Sequence, residues 1–181
     1  VCALGNFYTD GLREAGRARV GLFNATSLFG FMPAGVVTAE MVMHVMCFDE
    51  DIYAGEMTGA QLLALFERTY FNAHWALNGA LQFTGLKVVA DTRRPEGARI
   101  LSLAHENGAP IAQDERVRVA TTEYIASGGN DYKNIMAQVA WENTRVRTHA
   151  FFVDFLRRRG VLPHELDGRM LNLDPAWPPP R

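Results

Sequence analysis

Strand-forming sequence is concentrated in residues 80–122, whereas helical patterns dominate before this region and return after it. Residues 80–91 are rich in strand-forming side chains and predict one long strand. Further strands are predicted at 99–105 and 116–122, with a tight turn at Asn107-Gly108 between them. Strands and helices are therefore grouped along the chain rather than alternating. This grouping predicts an α+β fold, a single domain with a mixed β-sheet and flanking helices, rather than a doubly wound sheet.

Helical periodicity and capping residues mark the flanking segments. Thr58 precedes the clearest helical pattern and predicts its N-terminal cap. The apolar residues of this pattern fall on one helical face: Leu62, Leu65, Phe66 and Tyr70. We predict helices over residues 6–15, 39–46 (capped by Thr38), 59–71, 132–139 and 145–159, and additional strands over 17–24 and 51–57.

Length and charge exclude several classes of protein. A chain of 181 residues can bury one sizeable core, which favours one domain. The net charge of −2 provides no cationic surface for a nucleic-acid polymer. No apolar run approaches the roughly 20 residues of a membrane span. Cys2 and Cys47 cannot form a disulfide framework or a cysteine-rich zinc site, and the sequence leaves open whether they pair.

Residue patterns that indicate catalysis do not occur. The five histidines, His44, His74, His105, His149 and His164, are scattered and lack metal-ligand spacing. The triplet Asp49-Glu50-Asp51 could bind a hard cation, but neighbouring residues of a strand point to opposite sides, so a solvated turn is favoured. We therefore predict no catalytic residue and no metal ligand, and we expect the chain alone to be inactive.

The segment from Tyr124 to Tyr132, YIASGGNDY, combines features that suit a ligand. Gly128-Gly129 allows close backbone approach, Tyr124 offers an aromatic face and Asn130 offers hydrogen bonds. These groups can hold a flat molecule with polar edges, such as a nucleobase, although a purely structural turn would use the same residues. Phe48 lies next to acidic turn residues. It is either a core residue or, with Tyr124, one wall of a stacking slot.

Several motifs follow one another in a specific order. They are LGN at 4–6, the segment 24–35 from Asn24 to PAG, MTGAQL at 57–62, LQFTGL at 81–86, NGAPI at 107–111, VAT at 119–121 and IASGGNDY at 125–132. This order resembles the C-terminal domain of the 5′-nucleotidase family, which includes UDP-sugar hydrolases and 2′,3′-cyclic phosphodiesterases. The resemblance covers roughly residues 2–140.

The resemblance implies a division of labour between two domains. In such enzymes an N-terminal metallophosphatase domain holds two divalent metal ions and the catalytic groups, and the C-terminal domain stacks the base of the substrate between two aromatic rings. By motif, the two rings correspond to Phe48 and Tyr124. Asn24 opens the family's glycine-rich loop, and Asn130 occupies the position that contacts the sugar hydroxyls.

Two departures from the family pattern bear on the ligand. Phe29 replaces an arginine of the glycine-rich loop, which removes a bidentate partner for an anion. Asn130 replaces an aspartate, which keeps a hydrogen-bond acceptor but removes its charge. Phe29 and Phe31 are consistent with a more apolar pocket, and core packing would explain both residues equally well.

The resemblance implies a substrate-recognition domain of a larger hydrolase in nucleotide catabolism. We expect one domain over 1–181, with a core over about 2–160 and a C-terminal extension over 161–181. Its expected partners are a small-molecule nucleotide or nucleoside and an N-terminal metallophosphatase domain that this chain lacks. The expected location is periplasmic or extracellular. The alternatives are a non-catalytic binding module with an altered or lost pocket and the same architecture acting on a non-nucleotide phosphoester.

Overall fold

The computed structural model describes residues 2–71, 80–162 and 165–176 of the chain. The helices are α1 (Ala3–Ala15), α2 (Ala39–Val45), α3 (Gly59–Phe71), α4 (Glu123–Ala126), α5 (Lys133–Met136) and α6 (Thr148–Arg159). The strands are β1 (Val20–Asn24), β2 (Asp51–Thr58), β3 (Leu81–Thr84), β4 (Leu86–Ala90), β5 (Ile100–His105), β6 (Arg116–Thr122), β7 (Glu142–Arg147) and β8 (Met170–Asn172). A short 3₁₀ turn, Ala25–Ser27, follows β1.

The strands form two mixed sheets. The larger has five strands in the order β3-β1-β6-β2-β7, and the smaller has three in the order β5-β4-β8. In the larger sheet β1 and β6 are parallel, and the other neighbours are antiparallel. In the smaller sheet β4 is antiparallel to β5 and parallel to β8. The predicted α+β class with a mixed sheet is confirmed.

The order of the three central strands brings distant parts of the chain to one edge of the larger sheet. Because β1 and β6 are parallel, their carboxyl ends, at Asn24 and Thr122, lie at the same edge. Strand β2 runs antiparallel to β6, with Ile52 opposite Thr122, so its amino end lies there too. We call this edge the site edge. The four residues that the sequence predicts for the ligand site lie at the ends of these strands or in the segments next to them: Asn24, Phe48, Tyr124 and Asn130.

The core lies on both faces of the larger sheet. Leu22 of β1 belongs to a cluster that includes Leu62, Leu65 and Phe66 of α3. The next residue, Phe23, points to the opposite face and belongs to a second cluster with residues of α1, α2 and α6. All five residues of β1 are buried, because the sheet is covered on both faces.

Local capping explains where two helices begin. The N–H of Thr58 donates to Oε1 of Gln61 at 2.8 Å, and the N–H of Gln61 donates to Oγ1 of Thr58 at 3.2 Å. This reciprocal pair is a capping box and confirms the predicted start of α3. Thr38 caps α2 by accepting from the N–H of Met41 at 3.3 Å, also as predicted. The side chain of Tyr70 lies outside the described residues.

Residues 80–91 are not one strand. They form β3 and β4, which belong to different sheets. The break is at Gly85, whose φ of +82° disfavours any residue with a Cβ. A Cβ built there would also lie 2.0 Å from the carbonyl oxygen of Arg19. The turn depends on this close approach of a distant strand, which strand propensity does not indicate.

The C-terminal half differs from the prediction in further places. The helix predicted over 132–139 is shortened to α5, and α4 was not predicted. The helix predicted over 145–159 begins at Thr148, and the residues before it form the edge strand β7. Strand β8 was not predicted, and it joins the smaller sheet by pairing with β4. Residues 177–181 of the expected C-terminal extension lie outside the described residues. Of the helices in the described ranges, none is both long and apolar enough to cross a membrane.

Candidate functional site

An open cleft with a volume of about 690 Å³ lies at the site edge. Three aromatic side chains line it, Phe29, Phe48 and Tyr124, and each remains between 43% and 50% exposed. Exposure of three large rings in one place is unusual, because such side chains are normally buried. The structure thus brings Phe48 and Tyr124, which are 76 positions apart in the sequence, into one lining.

Phe29 adds a ring to the cleft. Its ring meets that of Phe48 edge-on, with centroids 6.1 Å apart and planes at 70°. Phe31 is 80% exposed and is not part of the lining. Core packing therefore explains neither residue. The aromatic surface of the cleft extends beyond the two rings that the family pattern implies.

Tyr124 is held in place from several directions. Its backbone N–H donates to Oε2 of Glu50 at 2.6 Å, and its hydroxyl donates to Oδ1 of Asn130 at 2.8 Å. The ring lies against Gly129, where a Cβ would come within 2.4 Å of ring atom Cζ. Asn130 has a φ of +57°, a conformation that asparagine tolerates better than most residues. The turn after Tyr124 therefore fixes the orientation of its ring.

Asn24 forms a buried polar wall of the cleft. Its side-chain N–H₂ donates to Oγ1 of Thr26 at 2.6 Å and to Oγ of Ser27 at 2.8 Å. Thr26 also receives a longer hydrogen bond of 3.4 Å from Nδ2 of Asn130. Thr26 thus connects Asn24 with Asn130, and through Asn130 with Tyr124. Sequence reasoning did not identify Thr26 and Ser27 as site residues, although both lie in the loop that Asn24 opens.

The segment that carries Phe48 is anchored by the first residue of α6. Oγ1 of Thr148 accepts from the N–H of Glu50 at 3.0 Å, and the N–H of Thr148 donates to the carbonyl of Glu50 at 2.9 Å. Burial raises the pKa of the Glu50 carboxyl above its ordinary value and outweighs the opposing hydrogen bond from Tyr124. Glu50 therefore ties the segments of Phe48 and Tyr124 together.

Asp49 forms a hydrogen bond with the first turn of the same helix, α6. Its Oδ1 accepts from the backbone N–H of His149 at 3.0 Å, and its Oδ2 forms a 3.0 Å ion pair with Arg147. Partial burial acts to raise the pKa of Asp49, but the hydrogen bonds from His149 and Arg147 outweigh it and hold the pKa below its ordinary value. The first N–H groups of a helix have no partner within the helix. A carboxylate that accepts hydrogen bonds from them stabilises the N-terminus of the helix.

We expect Asp49→Asn to flatten the acid dependence of stability. Because the pKa of Asp49 is lower in the folded chain, its contribution is complete above the unfolded pKa and is lost as pH falls through the folded value, below about pH 4. Urea unfolding of both proteins across the acidic range measures this effect. Asp114→Asn, on an exposed turn, is the matched control. Equal acid slopes for Asp49→Asn and the unchanged chain would contradict the assignment.

The described residues contain no group of three or more histidine, cysteine or acidic side chains that could hold a metal ion. The acidic triplet at 49–51 is engaged with protein groups, since Asp51 also pairs with Arg147 and accepts from Asn143. These residues do not fit a metal centre. Cys2 and Cys47 are both free thiols, and Cys47 is part of the cleft lining. His74 and His164 lie outside the described residues.

Comparisons with known proteins agree on one family. The family described as "5′-nucleotidase, C-terminal domain" matches residues 1–138. The chain is 27% identical over 177 residues to the trifunctional nucleotide phosphoesterase protein YfkN of Bacillus subtilis, covering 92% of this chain and 12% of that protein. It is 23% identical over 144 residues to a snake venom 5′-nucleotidase of Crotalus adamanteus, covering 76% of this chain and 24% of that protein. The chain thus spans a quarter or less of these relatives.

Solved structures show the same fold. A 5′-nucleotidase precursor from Thermus thermophilus superposes with a TM-score of 0.85 at 27% identity, covering 94% of this chain and 35% of that one. An NAD nucleotidase from Haemophilus influenzae superposes with a TM-score of 0.82, covering 94% of this chain and 32% of that one. Its 18% identity supports the shared fold only.

Proposed function

Because this chain belongs to the family of 5′-nucleotidase C-terminal domains, we propose that its cleft holds the planar end of a nucleotide or nucleoside for a larger phosphoesterase. The observation that carries the proposal is the pair of half-exposed rings, Phe48 and Tyr124, in one cleft. Stacking on such rings favours any flat heterocycle and does not require one particular base.

Two asparagines have a separate role in this proposal. Asn24 is part of the cleft lining, and its Oδ1 can accept from a hydroxyl of a sugar or from the edge of a base. Asn130 is not part of the lining, and it supports the cleft through its hydrogen bonds to Tyr124 and Thr26. Neither residue can act as a nucleophile or a general base at neutral pH. The contribution of this chain is therefore to bind and orient the substrate, which lowers the entropic cost of the reaction.

Hydrolysis is assigned in this proposal to an N-terminal metallophosphatase domain outside this chain, with two divalent metal ions. The residues of the cleft supply no ligand set for such ions. We also propose an exported location, periplasmic or extracellular. The similarity to a venom 5′-nucleotidase is consistent with this location.

A second candidate is the same architecture with an altered ligand, either a non-nucleotide phosphoester or a ligand that is only bound. Phe29 favours it, because a third ring stands in the cleft where the family pattern has an arginine. The described lining also contains no arginine, lysine or histidine that could bind a phosphate group.

Titration of the chain with adenosine, AMP and UDP-glucose distinguishes these candidates. We expect saturable binding of adenosine or AMP. Calorimetry and the change in tyrosine and tryptophan fluorescence measure it. Phe31→Ala, which removes an exposed ring outside the cleft, should bind equally well and serves as the control. Absence of binding by all three compounds at millimolar concentration would refute the nucleotide proposal for this chain.

A further inference from the structure

The polar groups of the cleft are strongly biased toward acceptors. Its lining contains three carboxylates, Asp49, Glu50 and Glu123, and none of its described residues is an arginine, lysine or histidine. Arg147 compensates Asp49 through the ion pair described above. The Glu50 carboxylate is already engaged, since it accepts from the backbone N–H of Tyr124 at 2.6 Å. Glu123 is exposed, and no cation among the described lining residues compensates it, so its negative charge is available to a ligand.

A buried acceptor in the cleft also favours a ligand that donates hydrogen bonds. Asn24 is only 1% exposed, and its Oδ1 has no hydrogen-bond partner among the described residues. Both N–H groups of the same amide are used by Thr26 and Ser27, which fixes the orientation of the oxygen. A buried acceptor without a donor is costly, so a ligand that donates to it gains more than an exposed contact would give.

The aromatic rings add a third preference. The face of an aromatic ring is electrically negative and attracts a cation placed over it. Phe29, Phe48 and Tyr124 present such surfaces beside the carboxylates of Glu50 and Glu123. A neutral heterocycle would stack on these rings but leave the Glu123 carboxylate uncompensated. An anion placed in the cleft would be repelled by both carboxylates.

We propose that the cleft selects a positively charged, planar nitrogen heterocycle that donates N–H bonds, such as an N-alkylated purine nucleoside, over a neutral one. The inference rests on the proposed function, because it names the class of ligand for the same cleft. Glu123 balances the charge of the ring, the aromatic residues stack on it, and Asn24 Oδ1 accepts from its edge. Any phosphate of the ligand lies outside the cleft.

Two isomeric nucleosides test the role of charge. 1-Methyladenosine is a cation at neutral pH, whereas N6-methyladenosine has the same methyl group on a neutral ring. We expect the unchanged chain to bind 1-methyladenosine about fivefold more tightly, the size of a modest cation–π gain. Equal affinity for the two isomers would overturn the inference and leave the proposed function standing.

A carboxylate variant tests the assignment to named residues. Glu123→Gln keeps the shape of an exposed side chain and removes its charge. We expect it to reduce the preference for 1-methyladenosine at least twofold, whereas the control Glu96→Gln, in the exposed loop after β4, should keep the preference. An unchanged preference in Glu123→Gln would contradict the role given to that carboxylate.

A ligand without a sugar separates the two proposals. 1-Methylnicotinamide is a permanent planar cation, and nicotinamide is its neutral counterpart. Preferential binding of 1-methylnicotinamide, with no binding of adenosine, AMP or UDP-glucose, would refute the nucleotide proposal and support the charge preference. No binding of any of these compounds would overturn both.

Discussion

The Tyr124→Ala and Phe48→Ala variants are each expected to bind a nucleoside about five- to 150-fold more weakly than the unchanged chain. Alanine substitution of a ring that stacks on a base costs about 1–3 kcal/mol, and each 1.4 kcal/mol corresponds to a tenfold change in Kd. Both rings are half-exposed, so their removal leaves no large cavity in the core. The loss should therefore appear in binding, measured by calorimetry, and much less in thermal stability.

A matched variant separates the ring from its hydroxyl. Tyr124→Phe keeps the aromatic face but loses the 2.8 Å hydrogen bond to Asn130. We expect a smaller loss of affinity than in Tyr124→Ala, because a hydrogen bond of this kind contributes only about 0.5–1.5 kcal/mol net. Unchanged affinity in both alanine variants would refute the stacking role of the two rings.

The Phe152→Ala variant is expected to lose about 3–5 kcal/mol of unfolding free energy, the usual cost of removing a buried phenylalanine. The Phe152 ring is fully buried, lies 4.8 Å from the ring of Tyr8, and packs so closely on Gly11 that a Cβ there would come within 2.2 Å. It belongs to α6, whose first residue, Thr148, anchors the segment of Phe48.

Urea unfolding measures this loss, and Phe151→Ala is the control. Phe151 is the neighbouring residue of the same helix but is only partly buried. We expect its loss to be less than half of that in Phe152→Ala. A loss below about 1 kcal/mol in Phe152→Ala would contradict the packing described for α6.

Elements with strong local signals were predictable from the sequence. Helix α3 has the predicted bounds, because Thr58 and Gln61 cap it within one turn and its apolar face is regular. Strand β6 also has the predicted bounds. The break at Gly85 was missed because its cause is a strand that lies far away in the sequence. Strand β7 was missed because, as an exposed edge strand, it lacks an apolar alternation.

The candidate site was predictable only in part. The family resemblance identified Phe48 and Tyr124, and the structure shows that both line one cleft. The family resemblance did not identify the residues that hold these two rings in place. Glu50 and Thr148 are 98 positions apart, so no local pattern indicates their hydrogen bond. The acidic triplet at 49–51 was the only sequence feature that indicated these anchoring contacts. Carboxylates in a turn have several explanations, so the triplet did not identify them.

The site edge has a consequence for the dynamics of the chain. The ends of β1, β6 and β2 meet there, and they come from three separate parts of the sequence. A ligand in the cleft would hold these three strand ends together, because it can bind only when all three are in register. At a ligand concentration one hundred times Kd, binding adds about 2.7 kcal/mol to the free energy of unfolding. Occupancy of the cleft would therefore slow amide hydrogen exchange throughout the central strands, far beyond the residues that touch the ligand.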